Sequence, residues 1–400
     1  MNCLNGPARV NWICWVIASA SLAVASLMAQ PTQSTRTRLS QAAVEAGFKV
    51  RSLKLAEPIP ARSRYPFTSF DYDDPHLVEL REKYHLKTIM AGAADEWTAQ
   101  QLLKDWVYRR IPGGQPKSSP DNALEILERA SKGGQFYCTY YAITYVECAQ
   151  ALGWQARKIG VDRKHPGGYQ LGSSHHGVAE VWSNQFCKWV LMDSQSNLHF
   201  EKDGVPLSAY EIRAEWIGNQ GENVDHIVGA PPHTSEKNPA MVWSVPDSDE
   251  IATYYWLYVQ DSALVGSTDS KFLLLEDDYN AGEIWFQNDG ELGHSQFHNA
   301  YLKNRFEPTD RVEDLYWSVG IVETDVTEVS SGMIQLQLDT YCPNFANYQV
   351  SIDGATWKET DPTCRWDLKA GWNTLGLRTV NRAGVTGPET AFIMLLERDP

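Results

Sequence analysis

The sequence predicts an α+β domain, with helices packed on an antiparallel sheet, followed by an all-β sandwich. Three observations carry that expectation. Between residues 76 and 152 successive stretches place apolar residues at three- and four-residue spacing, and the stretches that follow are short, rich in Val and Trp, and bounded by turn residues. Beyond residue 311 only short strand-like runs with Gly- and Pro-marked turns remain. The 400 residues exceed what one core usually holds, so two or three domains are expected.

Residues 1–29 carry one cation, Arg9, then an apolar run from about Val10 to Met28 that ends in small residues. This is the layout of a secretory signal with a cut after Ala29, and the competing reading is an uncleaved membrane anchor. No other apolar run is long enough to span a bilayer, so after cleavage no membrane span is expected and the protein is placed in the secreted, periplasmic or cell-surface space. Cleavage moves the formal charge from −15 to −16, which disfavours nucleic acid as a partner, since that needs clustered Lys and Arg. It also removes Cys3 and Cys14 and leaves five cysteines, an odd number, so at least one thiol is expected outside any internal disulfide.

Residues 30–75, rich in Pro and Ser without sustained periodicity, read as a linker or an extended arm. The α+β domain is assigned to residues 76–225. Its helices are predicted in "PHLVELREKYH", in "ADEWTAQQLLKDWVYRRI", in "DNALEILERASK" with Asp121 as N-cap, and from Cys138 to about Leu152 with Gly153 as the stop. "GVAEVWSN" and "CKWVLMDSQ" are its strands. Residues 226–310, aromatic-rich after a linker-like "GAPPHTSEKNP", receive no assignment. Within them Asp278, Asn280 and Gly282 faintly resemble a calcium loop, but Glu283 and Asp289 stand where Gly and Glu are needed, so an ordinary acidic turn is expected. Residues 311–400 form the sandwich, where "MIQLQLD" alternates and "SIDGATW" turns at Asp353-Gly354. A disulfide between Cys342 and Cys364 is expected to staple it, given the exported context.

The chemistry centres on Cys138. A thiol is a useful nucleophile when its thiolate is favoured, by a helix N-terminus or a neighbouring imidazolium. Cys138 follows Gly133-Gly134 and opens an apolar helical pattern; Cys148, ten residues along the same helix, is about 15 Å away and out of disulfide reach. "SSHHGVAEVW" offers His175 and His176, and "CKWVLMDSQSN" offers Asp193 as an orienting carboxylate. Strand alternation puts His176 on the face of Val178 and Glu180, with His175 opposite.

Over about residues 90–200 the chain resembles the transglutaminase-like branch of the papain-like cysteine enzymes. The resemblance rests on Cys138 with Ala142, Gly153 and Arg157, His176 with Glu180 and Trp182, and Trp189 with Asp193, in that order and at similar intervals. Val178 departs from the family's H-x-W-x-E, and Gly134 stands farther from the cysteine than usual. The resemblance implies a Cys138-His176-Asp193 triad acting on a carboxamide or peptide carbonyl through a thioester, with water giving a protease, amidase or deamidase and an amine giving a crosslink. Hydrolysis is preferred. Gln135 and the Cys138 N–H are candidates to stabilise an oxyanion, and Glu180 is expected to be structural. Substrates are then proteins or peptides, with a cell-surface glycan or peptidoglycan-associated peptide among the candidates; no cofactor or metal is expected. The rival class is a non-catalytic glycan- or protein-binding surface protein on the same scaffold, with its many Trp residues and an Ig/fibronectin-like sandwich as support. Fold alone decides neither.

Overall fold

The computed structural model describes residues 32–56, 58–162, 175–231, 256–260, 272–275 and 306–398. The leader and the acidic turn at 278–289 lie outside these residues.

The segment expected to be an arm is in large part ordered structure. Helix α1 (Thr32–Glu45) leads through Gly47, at φ +93°, into strand β1 (Phe48–Ala56). β1 pairs antiparallel with the last strand of the chain, Phe48 opposite Arg398 and Ala56 opposite Ala391. α1 buries Leu39, Ala42 and Ala43 in the sandwich core, and Ala46, just beyond its end, joins them. Few apolar residues among Thr, Ser, Gln and Arg make a weak helical signal, and the partner of β1 lies more than three hundred residues downstream. Residues 58–74 do run irregularly, and they cross the seam between the domains. Ala61 accepts from Ser318 N at 2.9 Å, Phe70 N donates to Gln150 Oε1 at 3.0 Å, and Tyr72 N donates to Asn344 Oδ1 at 2.9 Å.

The four expected helices follow: α2 (Pro75–Lys83), after which comes an additional single turn α3 (Leu86–Ile89), then α4 (Glu96–Arg110), α5 (Ala123–Ser131) and α6 (Cys138–Ala151). Asp74 and Asp95 cap α2 and α4 by accepting backbone N–H bonds. For α5 the cap is Asn122, which accepts from Glu125 N, while Asp121 donates its N–H to the Glu125 carboxylate. The cap thus lies one residue beyond the expected Asp121. α6 is buried from Tyr140 to Ala151, because α2, α4, α5 and the sheet surround it, and it stops at Gly153, φ +90°, where an added Cβ would sit 2.2 Å from Ala383 Cβ.

Strands β2 (Ala156–Asp162), β3 (His175–Ser183) and β4 (Lys188–Met192) are antiparallel neighbours. A small sheet of β5 (Leu198–Lys202), β6 (Val205–Pro206) and β7 (Asp225–Val228), with helix α7 (Ala209–Asn219), follows. The unassigned region then supplies β8 (Trp256–Gln260), β9 (Phe272–Leu275) and β10 (Phe306–Thr309), which extend the main sheet to the order β10-β9-β8-β2-β3-β4. The sheet therefore recruits residues beyond 225, the end expected for this domain. Ala156, Ala179, Val181, Val190 and Met192 pack toward α6, and Ile159, Val178 and Leu191 pack on the other face with Phe200 and Ile212. Both faces are covered, so these strands read as near-continuous apolar runs.

After the turn α8 (Val312–Leu315), two sheets share one core. One holds β11 (Glu323–Ser330), β12 (Met333–Asp339) and β15 (Thr363–Asp367); the other holds β13 (Phe345–Ile352), β14 (Lys358–Thr360), β16 (Gly371–Asn381) and β17 (Thr390–Arg398), with β1 at its edge. Ile334, Leu336 and Trp366 meet Leu375, Leu377, Phe392 and Met394 between them, each worth about 1.5–3 kcal/mol of burial.

The expected staple is absent: Cys342 and Cys364 are free thiols. Cys364 points into the sandwich core, opposite Leu336 in the ladder, whereas Cys342 follows the end of β12 in a crevice lined also by Gln155, Trp182 and Asn381. The side chains serve different surfaces, and apolar packing holds the sandwich without them.

Candidate active site

Cys138 is the first residue of α6. The residue before it, Tyr137, is extended and offers no side-chain cap. The Cys138 backbone N–H therefore belongs to the set at a helix start that has no partner within the helix, at the positive end of the dipole. Gly133 and Gly134, which precede it, close α5 instead: their N–H groups donate to Ala130 O and Arg129 O, and an added Cβ on Gly134 would lie 2.8 Å from that same Arg129 oxygen.

β3 brings His176 to the sulfur. Gly177 N approaches Cys138 Sγ at 3.4 Å, a close passage that only glycine permits easily, since a Cβ there would meet Thr139 Oγ1 at 3.0 Å. His176 Nε2 lies 2.8 Å from Asp193 Oδ2, and the imidazole also hydrogen-bonds Cys138. With Nε2 committed to the carboxylate, Nδ1 is the nitrogen left for the sulfur. Burial alone would push the imidazole down, but the charge and hydrogen bond of Asp193, with the Cys138 sulfur, hold it well above its ordinary value.

Asp193 is fixed by a turn. It exchanges backbone hydrogen bonds with Leu198, and its Oδ1 accepts from Gln195 N at 2.9 Å and Ser196 N at 3.0 Å. Burial would raise its carboxyl, yet His176 and the Ser196 N–H outweigh it and keep it below the usual range. His176 remains partly exposed at 23% while Asp193 is at 3%, so the group that would handle protons is reachable and its orienter is shielded.

The other candidates fall elsewhere. Gln135 is exposed three residues before the sulfur and leans on the loop at Gly114, where an added Cβ would sit 2.7 Å from its amide oxygen. Glu180 is wholly buried behind the sheet. Its Oε2 accepts from Arg157 Nη2 at 2.6 Å and Nε at 3.0 Å, and its Oε1 from Ala209 N at 2.8 Å and Tyr316 OH at 3.0 Å. Arg157 lies 4.0 Å over the Trp189 ring and donates to Leu315 O. Val178, at the family's tryptophan position, fills the second core. His175 opens β3 in register with Asp162. Trp182 and Trp189 pack on each other at 6.0 Å.

Gly177 and the neighbours of Asp193 were not singled out by sequence. The signal for Gly177 was its place between the histidine and the first buried strand residue, where no side chain is needed for packing. Among the described residues no group of three or more His, Cys, Asp or Glu side chains is arranged to hold a metal, and no helix is long and apolar enough to cross a membrane.

Residues 84–194 match the family model of the transglutaminase-like superfamily. No protein of curated function matches the chain. Among solved structures the chain is similar to the crystal structure of red sea bream transglutaminase at 9% identity, over 93% of this chain and 79% of that one, with a TM-score of 0.25, a likeness too slight to carry weight. The matched segment begins at Tyr84, within the helices that enclose α6, and ends one residue past Asp193, so it contains the cysteine, the histidine and the aspartate together. This chain carries a transglutaminase-like domain, built on the α+β fold described above.

Proposed function

We propose that the protein is an exported cysteine enzyme that cleaves carboxamide or peptide bonds of protein substrates through a thioester. The observation that carries this reading is the 2.8 Å contact of His176 with the buried Asp193, on an imidazole that also hydrogen-bonds a cysteine at a helix start. The Cys138 thiolate attacks the carbonyl carbon, and the carbonyl oxygen takes the electron pair and turns toward the Cys138 N–H. Collapse of that adduct expels the amine, which receives its proton from His176. Water then attacks the thioester as His176 takes its proton, and collapse of the second adduct releases the acid and restores the thiolate beside the protonated His176. Asp193 stays ionised throughout and fixes the imidazole. Water is favoured over an amine as acceptor because it is present at high concentration and no dedicated amine site faces the sulfur among the described residues. The leader-like pattern of residues 1–29 is what supports the export part of the proposal.

The test incubates the protein and its Cys138→Ala variant with a mixed protein and peptide library, and reads new termini, released ammonia and crosslinks by mass spectrometry. Cleavage or ammonia release in the parent alone supports the proposal. Crosslinks alone would replace hydrolysis by amine transfer, and identical products from both proteins would remove the enzymatic reading.

A further inference from the structure

Behind Asp193 lies a second line of ionisable groups that the chemistry above does not use. Lys104, on α4, has no exposed surface, and its Nζ lies 3.0 Å from His199 Nδ1. An ammonium only donates, so His199 Nδ1 accepts and its Nε2 carries the hydrogen, which meets Glu201 Oε1 at 3.0 Å. Trp97 packs against the His199 ring in a T-shaped contact, with 5.0 Å between centroids, and restrains it.

This line is tied to the turn that holds Asp193. His199 directly follows Leu198, the residue that exchanges both backbone hydrogen bonds with Asp193. The next residue of α4, Asp105, accepts from Asn197 Nδ2 at 2.8 Å, inside the same turn. Adjacent side chains on one helix thus hold Asn197 and His199, the residues on either side of Leu198, at the closing end of the Asp193 turn. The charged and titratable groups that face Lys104 are Asp193 from the end of β4, Asp105 on its own helix, and His199 and Glu201 on β5. Burial lowers the ammonium to about 7, with the three carboxylates opposing that fall, so it is charged on the acidic side of neutrality.

A buried cation without purpose is costly, and an apolar residue of similar length would fill the space at least as well. We infer that Lys104, relayed by His199 and Glu201, is a positioning residue for the Asp193-His176 pair: it fixes the Asp193 turn and supplies positive potential behind the carboxylate. The inference rests on the proposed function, since it concerns the ionisation of the same three groups. Removing the Lys104 charge leaves the site more negative, so the Cys138 thiolate forms only at higher pH. Removing the Glu201 charge does the reverse.

The experiment measures the rate of Cys138 alkylation by iodoacetamide from pH 4 to 9 for the parent, Lys104→Met, Lys104→Arg and Glu201→Gln, with a thermal melt of each. The acid limb is expected to rise in Lys104→Met by about one pH unit, a tenfold slower rate at fixed pH on the limb. It is expected to stay near the parent in Lys104→Arg and to fall in Glu201→Gln. Shifts of opposite sign are not produced by a merely structural role, and Glu201→Gln carries the test by itself if Lys104→Met does not fold. Superimposed limbs in folded variants would overturn the inference, whatever the melts show. A parent limb near 8.5, the unperturbed thiol value, would overturn the proposed function and this inference with it, and it is recognised because it appears in the unmutated protein.

Discussion

Replacing Glu180 with alanine would leave a buried guanidinium without its counter-charge. Both side chains of the Arg157–Glu180 pair have 0% exposure, and the carboxylate also satisfies Ala209 N and Tyr316 OH. Removing one partner of such a pair costs about 3–5 kcal/mol, because the other charge stays desolvated. The faces of Trp189, Tyr316 and Trp317, at 4.0, 4.7 and 4.8 Å from the Arg157 guanidinium carbon, keep part of its stabilisation and favour the lower end of that range. At about 2–4 °C per kcal/mol for a domain of this size, Glu180→Ala should melt at least about 6 °C below the parent. Thermal unfolding followed by tryptophan fluorescence measures it, and the Arg157→Met/Glu180→Leu double variant should recover most of the loss, since no buried charge then remains. The folded fraction of Glu180→Ala should still alkylate at Cys138 at the parental rate. A melt lowered by less than about 2 °C would refute the cost assigned to the orphaned charge, and a slowed alkylation in the folded protein would refute the separation of Glu180 from the site.

Asp193→Asn should lower the titration point of His176, read by NMR of the ring protons. His176 is raised in the fold, so its contribution is full below about 6.5 and is lost as pH rises through the folded value; Asp193 is lowered, so its contribution is full above about 4 and is lost as pH falls through the folded value. The stability cost of Asp193→Asn in urea should therefore be greater at pH 6 than at pH 10, and equal costs would contradict the pairing. Gly177→Val should slow product release from the library by about a hundredfold, since the added carbons push β3 off Thr139 and displace His176; parental rates would show that the close passage is not required. Native protein at pH 7 should lose Cys138 to iodoacetamide first, because burial pushes Cys148 well up and Cys342 to about 11. Denatured without reductant, it should alkylate at both Cys342 and Cys364, and a protein that takes up label at neither until reductant is added would mean a disulfide.

The helices around Cys138 were legible because each states its own limits locally: Asp95 before α4, the glycines after α5 and α6, and apolar residues at helical spacing between. The three candidate residues were legible as a sequence of intervals, and strand alternation favoured His176 over His175; the structure puts His176 and Asp193 2.8 Å apart. Nothing local marked β1, whose partner among the described residues lies at the other end of the chain, or the strands β8 to β10, which are short and far apart in sequence. Lys104 reads as one more charge on an amphipathic helix, and only the turn at 193–199, folded against it, shows that it faces inward. The same holds for Asp121 and Asn122, where composition allows either cap and the backbone chooses.

The contacts at the root of the sandwich run through the site's own scaffold. The segment that leads into β11 passes Leu315, whose carbonyl takes Arg157, and Trp317, whose carbonyl accepts from Trp189 Nε1 at 2.8 Å and whose ring lies 5.0 Å from that of Trp189. Arg157 and Trp189 belong to β2 and β4, the neighbours on either side of β3, which begins with His175, His176 and Gly177. From the other direction, residues 58–74 tie Gln150 on α6 to Asn344 in the sandwich before the chain enters α2, so the nucleophile's helix is held through the same seam. A strand pair between the first and last elements then closes the chain on itself. The C-terminal sheets are thus part of what fixes the relative position of α6 and β3, and the geometry at Cys138 depends on them even though none of their residues reaches the sulfur among the contacts described.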